Sequence, residues 1–244
     1  MANRKIFADL DQLSKEVGQT IVDLINQANR MGKPFSIALS GGSTPRRLYQ
    51  CLAQPPLVNH VPWGGVYIFF GDERAVSPDD ALSNYLMAKT TLFDHLPIPS
   101  GNTFRIMGEL ADHKDAAEQY QHTMLDILPR EEGIPVFDLM LLGIGGDGHI
   151  ASLFPGTPIL EETEKFVRAV YVSKLHAWRL SITYPVINHA KHVFILAAGT
   201  DKAEIVHDVL GDMTNNHIYP VQRIQPKGEL MWYLDSAAAS KLVD

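Results

Sequence analysis

The chain has 244 residues, 45% of them hydrophobic, enough for one full α/β core with at most a small added lobe. Its net charge of −7 excludes a general nucleic-acid binder, which needs basic surface, but leaves room for a small anion held by local cations. The single cysteine, Cys51, excludes an intrachain disulfide and suits a reducing compartment. The segment Met1-Ala-Asn-Arg-Lys-Ile-Phe7 lacks the apolar core of a signal peptide, and no run approaches a membrane span. The expectation is a cytoplasmic protein without membrane or nucleic-acid partners, as one domain over residues 1–244.

In chain order, Leu10, Leu13, Val17, Ile21, Leu24, Ile25 and Ala28 recur at helical spacing and predict an amphipathic helix, ended by Gly32-Lys-Pro34. Phe35–Leu39 reads as a buried strand, residues 45–52 as a helix stopped by Pro55-Pro56, and residues 67–70 as a second strand. Residues 81–93 and 115–128 read as helices, with loops at 97–102 and 128–135. Strands follow at 137–142, 167–172, 180–184 and 193–197, then a helix at 202–210 and a last strand at 230–234. This alternation predicts a mainly parallel sheet with helices on both faces.

Four loops follow predicted strands. Ser40-Gly41-Gly42-Ser43-Thr44-Pro45 precedes a helix, with Thr44 expected as N-cap and Pro45 as the first helical residue. Free backbone N–H groups and the positive end of the helix dipole make this a phosphate site, with Arg46 and Arg47 adding charge nearby. It is neither a Walker A loop nor a nucleophile elbow. Gly71-Asp72-Glu73-Arg74 is read as a loop that brings Asp72, able to act on a proton, and Arg74, able to bind an anion. Asn84-Tyr85 is placed on the same rim.

The third loop, Gly143-Ile-Gly145-Gly146-Asp147-Gly148-His149, carries the most information. Its glycines satisfy G-x-G-x-x-G, but it sits far into the chain, and Asp147 would oppose a pyrophosphate, so a nicotinamide cofactor is disfavoured. An acid and an imidazole in a glycine-rich turn point instead to a catalytic site at the carboxyl end of a strand. The fourth loop pairs Arg179, at the start of a strand, with Lys202 in the first turn of a helix, where a bound anion would offset the unfavourable dipole. His189 and His192 lie three residues apart without further ligands. Together with His113, His122 and His176 they are read as surface or supporting residues, and no metal is expected.

Taken together, Ser40-Gly-Gly-Ser-Thr-Pro45, Gly71-Asp-Glu-Arg74, the run from Gly143 through Asp147-Gly-His149-Ile-Ala-Ser-Leu-Phe-Pro-Gly156, and Arg179-Leu-Ser-Ile-Thr-Tyr-Pro185 resemble the 6-phosphogluconolactonases. The resemblance covers nearly the whole chain. It implies the fold shared with glucosamine-6-phosphate deaminases, a Rossmann-like α/β sheet with a small added lobe. It also implies cofactor-free and metal-free hydrolysis of 6-phosphogluconolactone in the pentose phosphate pathway. The alternative is the deaminase branch, which follows its Gly-Asp-Gly-His loop with Asn-Glu-Pro. Here Leu153-Phe154-Pro155 carries no acid, and Asp72-Glu73-Arg74 replaces the Asp-Glu-Tyr of that branch. Gly146 occupies a position that is often acidic in lactonases. A non-catalytic sugar-phosphate sensor is the other alternative, but such modules usually add a DNA-binding arm that this chain lacks.

The expected chemistry is attack of water on the lactone carbonyl with His149 as general base. Asp147 orients His149 or another group. Arg74, or N–H groups after Gly145, stabilise the oxyanion. Ser40, Gly41, Gly42, Ser43, Thr44, Arg179 and Lys202 bind the substrate, with Ser43, Thr44, Arg179 and Lys202 holding its phosphate. The expected partner is a small sugar-phosphate lactone, acting on a monomer or weak dimer.

Overall fold

A computed structural model describes residues 3–211 and 219–242. A short first strand, β1 (Arg4–Phe7), leads into α1 (Leu10–Arg30), whose N-cap Asp9 accepts a hydrogen bond from Gln12 N–H at 2.8 Å. The predicted stripe Leu13, Val17, Ile21 and Ile25 is buried along α1. Next come β2 (Phe35–Leu39), α2 (Ser43–Leu52), β3 (Val66–Phe70), β4 (Asp72–Arg74), α3 (Asn84–Thr91) and α4 (His113–Ile127). A tight hairpin of β5 (Arg130–Glu131) and β6 (Ile134–Pro135) precedes β7 (Leu139–Gly143), β8 (Val167–Val172), β9 (Ala177–Ile182) and α5 (Tyr184–Ile187). The chain ends with β10 (His192–Ala197), α6 (Ala203–Leu210) and β11 (Glu229–Asp235).

Six strands form one parallel sheet in the order β1-β11-β10-β7-β2-β3. Side chains alternate between the two faces of a strand, and every residue of β2 is buried, so both faces of the sheet centre are covered, as the apolar runs predict. From β2 the chain steps outward to β3, then returns to β7 on the other side and continues to β10 and β11. The direction of winding therefore reverses between β2 and β7, and such a crevice at the carboxyl ends is where open α/β sheets take ligands. The added lobe is an antiparallel sheet, β4-β9-β8, against which α4 packs.

Several boundaries differ from the sequence reading. Asp72-Glu73-Arg74 is a strand rather than a loop, because it pairs with Arg179-Leu180-Ser181 of β9. Arg179 consequently lies inside a strand that starts earlier, at Ala177. Helix α3 starts at Asn84 because the Ser83 hydroxyl accepts from Leu86 N–H, at 3.1 Å, and caps it. Helix α2 begins at Ser43 with Gly42 as its cap, so Thr44 and Pro45 already lie inside the helix and Thr44 is not the N-cap. Lys202 closes a short 3₁₀ turn, Thr200–Lys202, and stands just before α6. Among the described residues no helix is long and apolar enough to cross a membrane.

Candidate active site

The turn after β7 is closed by its own backbone: Gly145 N–H donates to His149 C=O and Gly148 N–H to Gly145 C=O, both at 2.9 Å. Gly148 has φ +73°, a left-handed conformation that suits glycine. The imidazole of His149 folds back over Gly145, where a Cβ would stand 2.1 Å from the ring. Only a residue without a side chain can occupy 145 while His149 keeps this pose. Nδ1 of His149 lies 2.5 Å from Oδ1 of Asp147. That bond assigns the proton of the neutral ring to Nδ1 and leaves the Nε2 lone pair for a reacting group. The ring also stacks on Phe154, with centroids 4.0 Å apart.

Asp147 makes a second ion pair, through Oδ2, with Nζ of Lys174. Burial works to raise the Asp147 pKa, but the hydrogen bonds from His149 and Lys174 outweigh it and hold the carboxyl well below its usual range. Asp147 is thus a fixed anion behind His149.

On the other side of the crevice, the loop after β2 is fixed by Tyr49. Its buried hydroxyl accepts from Ser40 N–H at 3.0 Å and donates to Ser40 C=O at 2.8 Å. The Ser40 hydroxyl in turn lies 3.4 Å from Gly143 N, joining the two loops across the reversal point. Among the described residues no side chain caps α2, so its first N–H groups, at the exposed Ser43 and at Thr44, remain for an anion. Arg47 does not add charge to this loop, because it pairs with Asp11 of α1 at 2.6 Å.

Between the loops and the added lobe stands β4. Asp72 is buried: Oδ2 accepts from the Ser152 hydroxyl at 2.6 Å and Oδ1 from the Asn84 amide at 3.1 Å. It ties the histidine turn to α3. Glu73, also buried, accepts from the N–H groups of Arg74, Asn84 and Tyr85, so its carboxylate caps the start of α3. Burial pushes the Glu73 pKa up against those hydrogen bonds.

Arg74 and Arg179 are direct partners across the β4–β9 pair. Like charges opposite one another are unfavourable without an anion between or beside them. Burial first, and then the Arg74 charge, lower the Arg179 pKa. Arg74 gives one guanidinium nitrogen to Leu82 C=O, and its buried Nε has no partner among the described residues. Lys202 stands at the carboxyl end of β10, next to β7 in the sheet, and pairs with Asp201 at 3.2 Å.

The structure thus links the predicted site residues in a chain of contacts: Ser40 Oγ lies against Gly143 N, Asn84 bonds Asp72, Asp72 bonds Ser152 of the histidine turn, and Arg74 faces Arg179 beside Asp72, with Lys202 on the loop after β10. His189 and His192 turn apart, toward Pro185 C=O and Glu229. Among the described residues no three His, Cys, Asp or Glu side chains converge as a metal site. Sequence reasoning gave no role to Lys174, Ser152 or Phe154. The Lys174–Asp147 pair spans 27 residues and the Ser152–Asp72 pair 80, and no local spacing announces either.

Residues 8–232 match the model of the family described as Glucosamine-6-phosphate isomerases/6-phosphogluconolactonase. A 6-phosphogluconolactonase of Synechocystis sp. is 39% identical, over 85% of this chain and 84% of its own length. That of Haemophilus influenzae is 34% identical, over 96% of this chain and 100% of its own. The solved structure of 6-phosphogluconolactonase from Trypanosoma cruzi superposes with a TM-score of 0.87 at 32% identity, covering 100% of this chain and 98% of that one.

Proposed function

From the premise that this chain belongs to the glucosamine-6-phosphate isomerase/6-phosphogluconolactonase family, we propose how its crevice carries out the reaction. The protein is a lactone hydrolase acting on 6-phosphogluconolactone in the pentose phosphate pathway. The observation that carries the mechanism is the Asp147–His149 pair beside the Ser40–Ser43 loop.

His149 Nε2 takes a proton from water as the water oxygen attacks C1 of the lactone. Asp147 holds the imidazole in the right tautomer and stabilises the imidazolium that forms, the role of the acid in a catalytic triad. The negative charge gathering on the carbonyl oxygen meets a donor from Arg74 or from the backbone of the glycine turn. Collapse of the tetrahedral intermediate breaks the bond from C1 to the ring oxygen, which leaves with the proton from His149. The products are 6-phosphogluconate and one released proton.

The substrate phosphate is the remote handle, held by the N–H groups of Ser43 and Thr44 with Arg179 and Lys202. Asp72 serves as a positioning group rather than a base, because both its oxygens are engaged by Ser152 and Asn84. A hydrophobic core cluster that runs through the described residues supports one domain, and we take the protein as a cytoplasmic monomer or weak dimer.

The test is acid release from freshly made 6-phosphogluconolactone, with the spontaneous rate subtracted. Lactone turnover without ammonia release from glucosamine 6-phosphate is expected. Ammonia release would move the protein to the deaminase branch, a reading that the absence of an acid in Leu153-Phe154-Pro155 disfavours.

A further inference from the structure

We propose that Lys174 is a positioning residue of the lactonase reaction, acting through Asp147 on His149. The inference rests on the reading of His149 as the base. A carboxylate bonded through one oxygen can still swing about its Cβ–Cγ axis. Oδ1 of Asp147 holds His149 Nδ1, and Lys174 grips the other oxygen, so the plane of the carboxylate is pinned from both ends. The same ammonium lies 4.7 Å from the centroid of the Phe154 ring, whose face packs against His149. Lys174, Asp147, His149 and Phe154 thus form a closed ring of contacts around the imidazole.

Lys174 comes from a different part of the fold. It lies in the Ser173–Leu175 turn between β8 and β9, closed by His176 in a left-handed conformation with φ 47°. Strand β9 then carries Arg179 toward Arg74. The clamp therefore ties the lobe that carries the anion-binding arginines to the turn that carries the base. The lysine side chain is half exposed, and an ion pair so placed adds little to folding. Its consequence is geometric: it sets where Nε2 points relative to a substrate held from the added lobe.

The experiment compares Lys174→Met, Lys174→Arg and His149→Ala with the unaltered enzyme. It measures kcat and KM on fresh lactone, and ¹⁵N NMR of the histidine imidazoles reads the tautomer of His149. Lys174→Met should lower kcat roughly tenfold. KM should stay within about twofold, because no ground-state contact to substrate is lost. The His149 signature should move from a single Nδ1–H tautomer toward a mixture. Lys174→Arg should restore most of kcat and the single tautomer. Unchanged kcat in Lys174→Met overturns the proposal, as does a raised KM at constant kcat, which would make Lys174 a substrate-binding cation. A lower kcat with an unmoved imidazole signature also overturns it. His149→Ala separates the two possible failures. Near-normal turnover there removes the imidazole base and this proposal together, whereas an inactive H149A beside a fully active K174M removes Lys174 alone.

Discussion

At the scale of single residues, the proposed site turns on one anion and one ring. Loss of the imidazole in His149→Ala should cost kcat about 10²–10⁴-fold with little change in KM, measured on fresh lactone. Asp147 carries a second prediction, in stability. Its native pKa is depressed, so its stabilising effect is present in full above the ordinary carboxylate value of about 4 and is lost as pH falls through the lower native value. Unfolding of the parent protein and Asp147→Asn should therefore differ at pH 7, by about 1 kcal/mol given that the group is partly solvated, and the gap should narrow progressively below about pH 4 and close as pH falls through the lower native value. A gap that stays constant into acid would show that the pair does not stabilise the fold electrostatically. The sequence singled out His149 and Asp147 because the glycines around them make an acid and an imidazole conspicuous, and the structure pairs the two. Lys174 was not singled out, because Ser173-Lys-Leu-His176 has the composition of any solvated turn, and only the pairing of β8 with β9 brings it back over residue 147.

At the scale of elements, two buried tyrosines finish the strands that flank the site. Tyr49 closes the end of β2 on Ser40, and Tyr120 closes the end of β3 by accepting from Phe70 N–H at 2.7 Å and donating to Phe70 C=O at 2.9 Å. In each case one hydroxyl satisfies a donor and an acceptor where the ladder stops. Tyr49→Phe should lower unfolding free energy by about 1–3 kcal/mol, read by denaturant titration, since both Ser40 groups then stay buried without a partner. Gly145→Ala should leave the sheet intact but displace the His149 ring, and kcat should fall roughly 10²-fold without matching destabilisation. The long apolar and amphipathic patterns made α1, β2, β7 and β10 legible from sequence. They failed for β4, where three consecutive charges looked like a loop. Those charges are tolerated in a strand because Asp72 and Glu73 receive hydrogen bonds from Ser152 and from the start of α3. They also failed for β1, whose four residues are too few to show a period.

At the scale of the whole molecule, the reversal between β2 and β7 explains why loops distant in sequence share one crevice while the net charge stays at −7. Binding there should stabilise the entire sheet. 6-Phosphogluconate at a hundred times its Kd should add about 2.7 kcal/mol to the unfolding free energy. Lys202→Ala should remove about 1.4 kcal/mol of that for each tenfold loss of affinity, and an unchanged shift would move the phosphate away from β10. The outer edge of the same sheet bears on biosynthesis. Among the described residues, strand β1 pairs only with β11, Arg4 opposite Trp232 and Phe7 opposite Asp235, and β11 also rests on β10. Residues 4–7 are made before their partner strand and must wait, unpaired, until β11 is made. A nascent chain halted before Glu229 should accordingly expose Arg4–Phe7 to protease, and release of the full chain should abolish that cleavage.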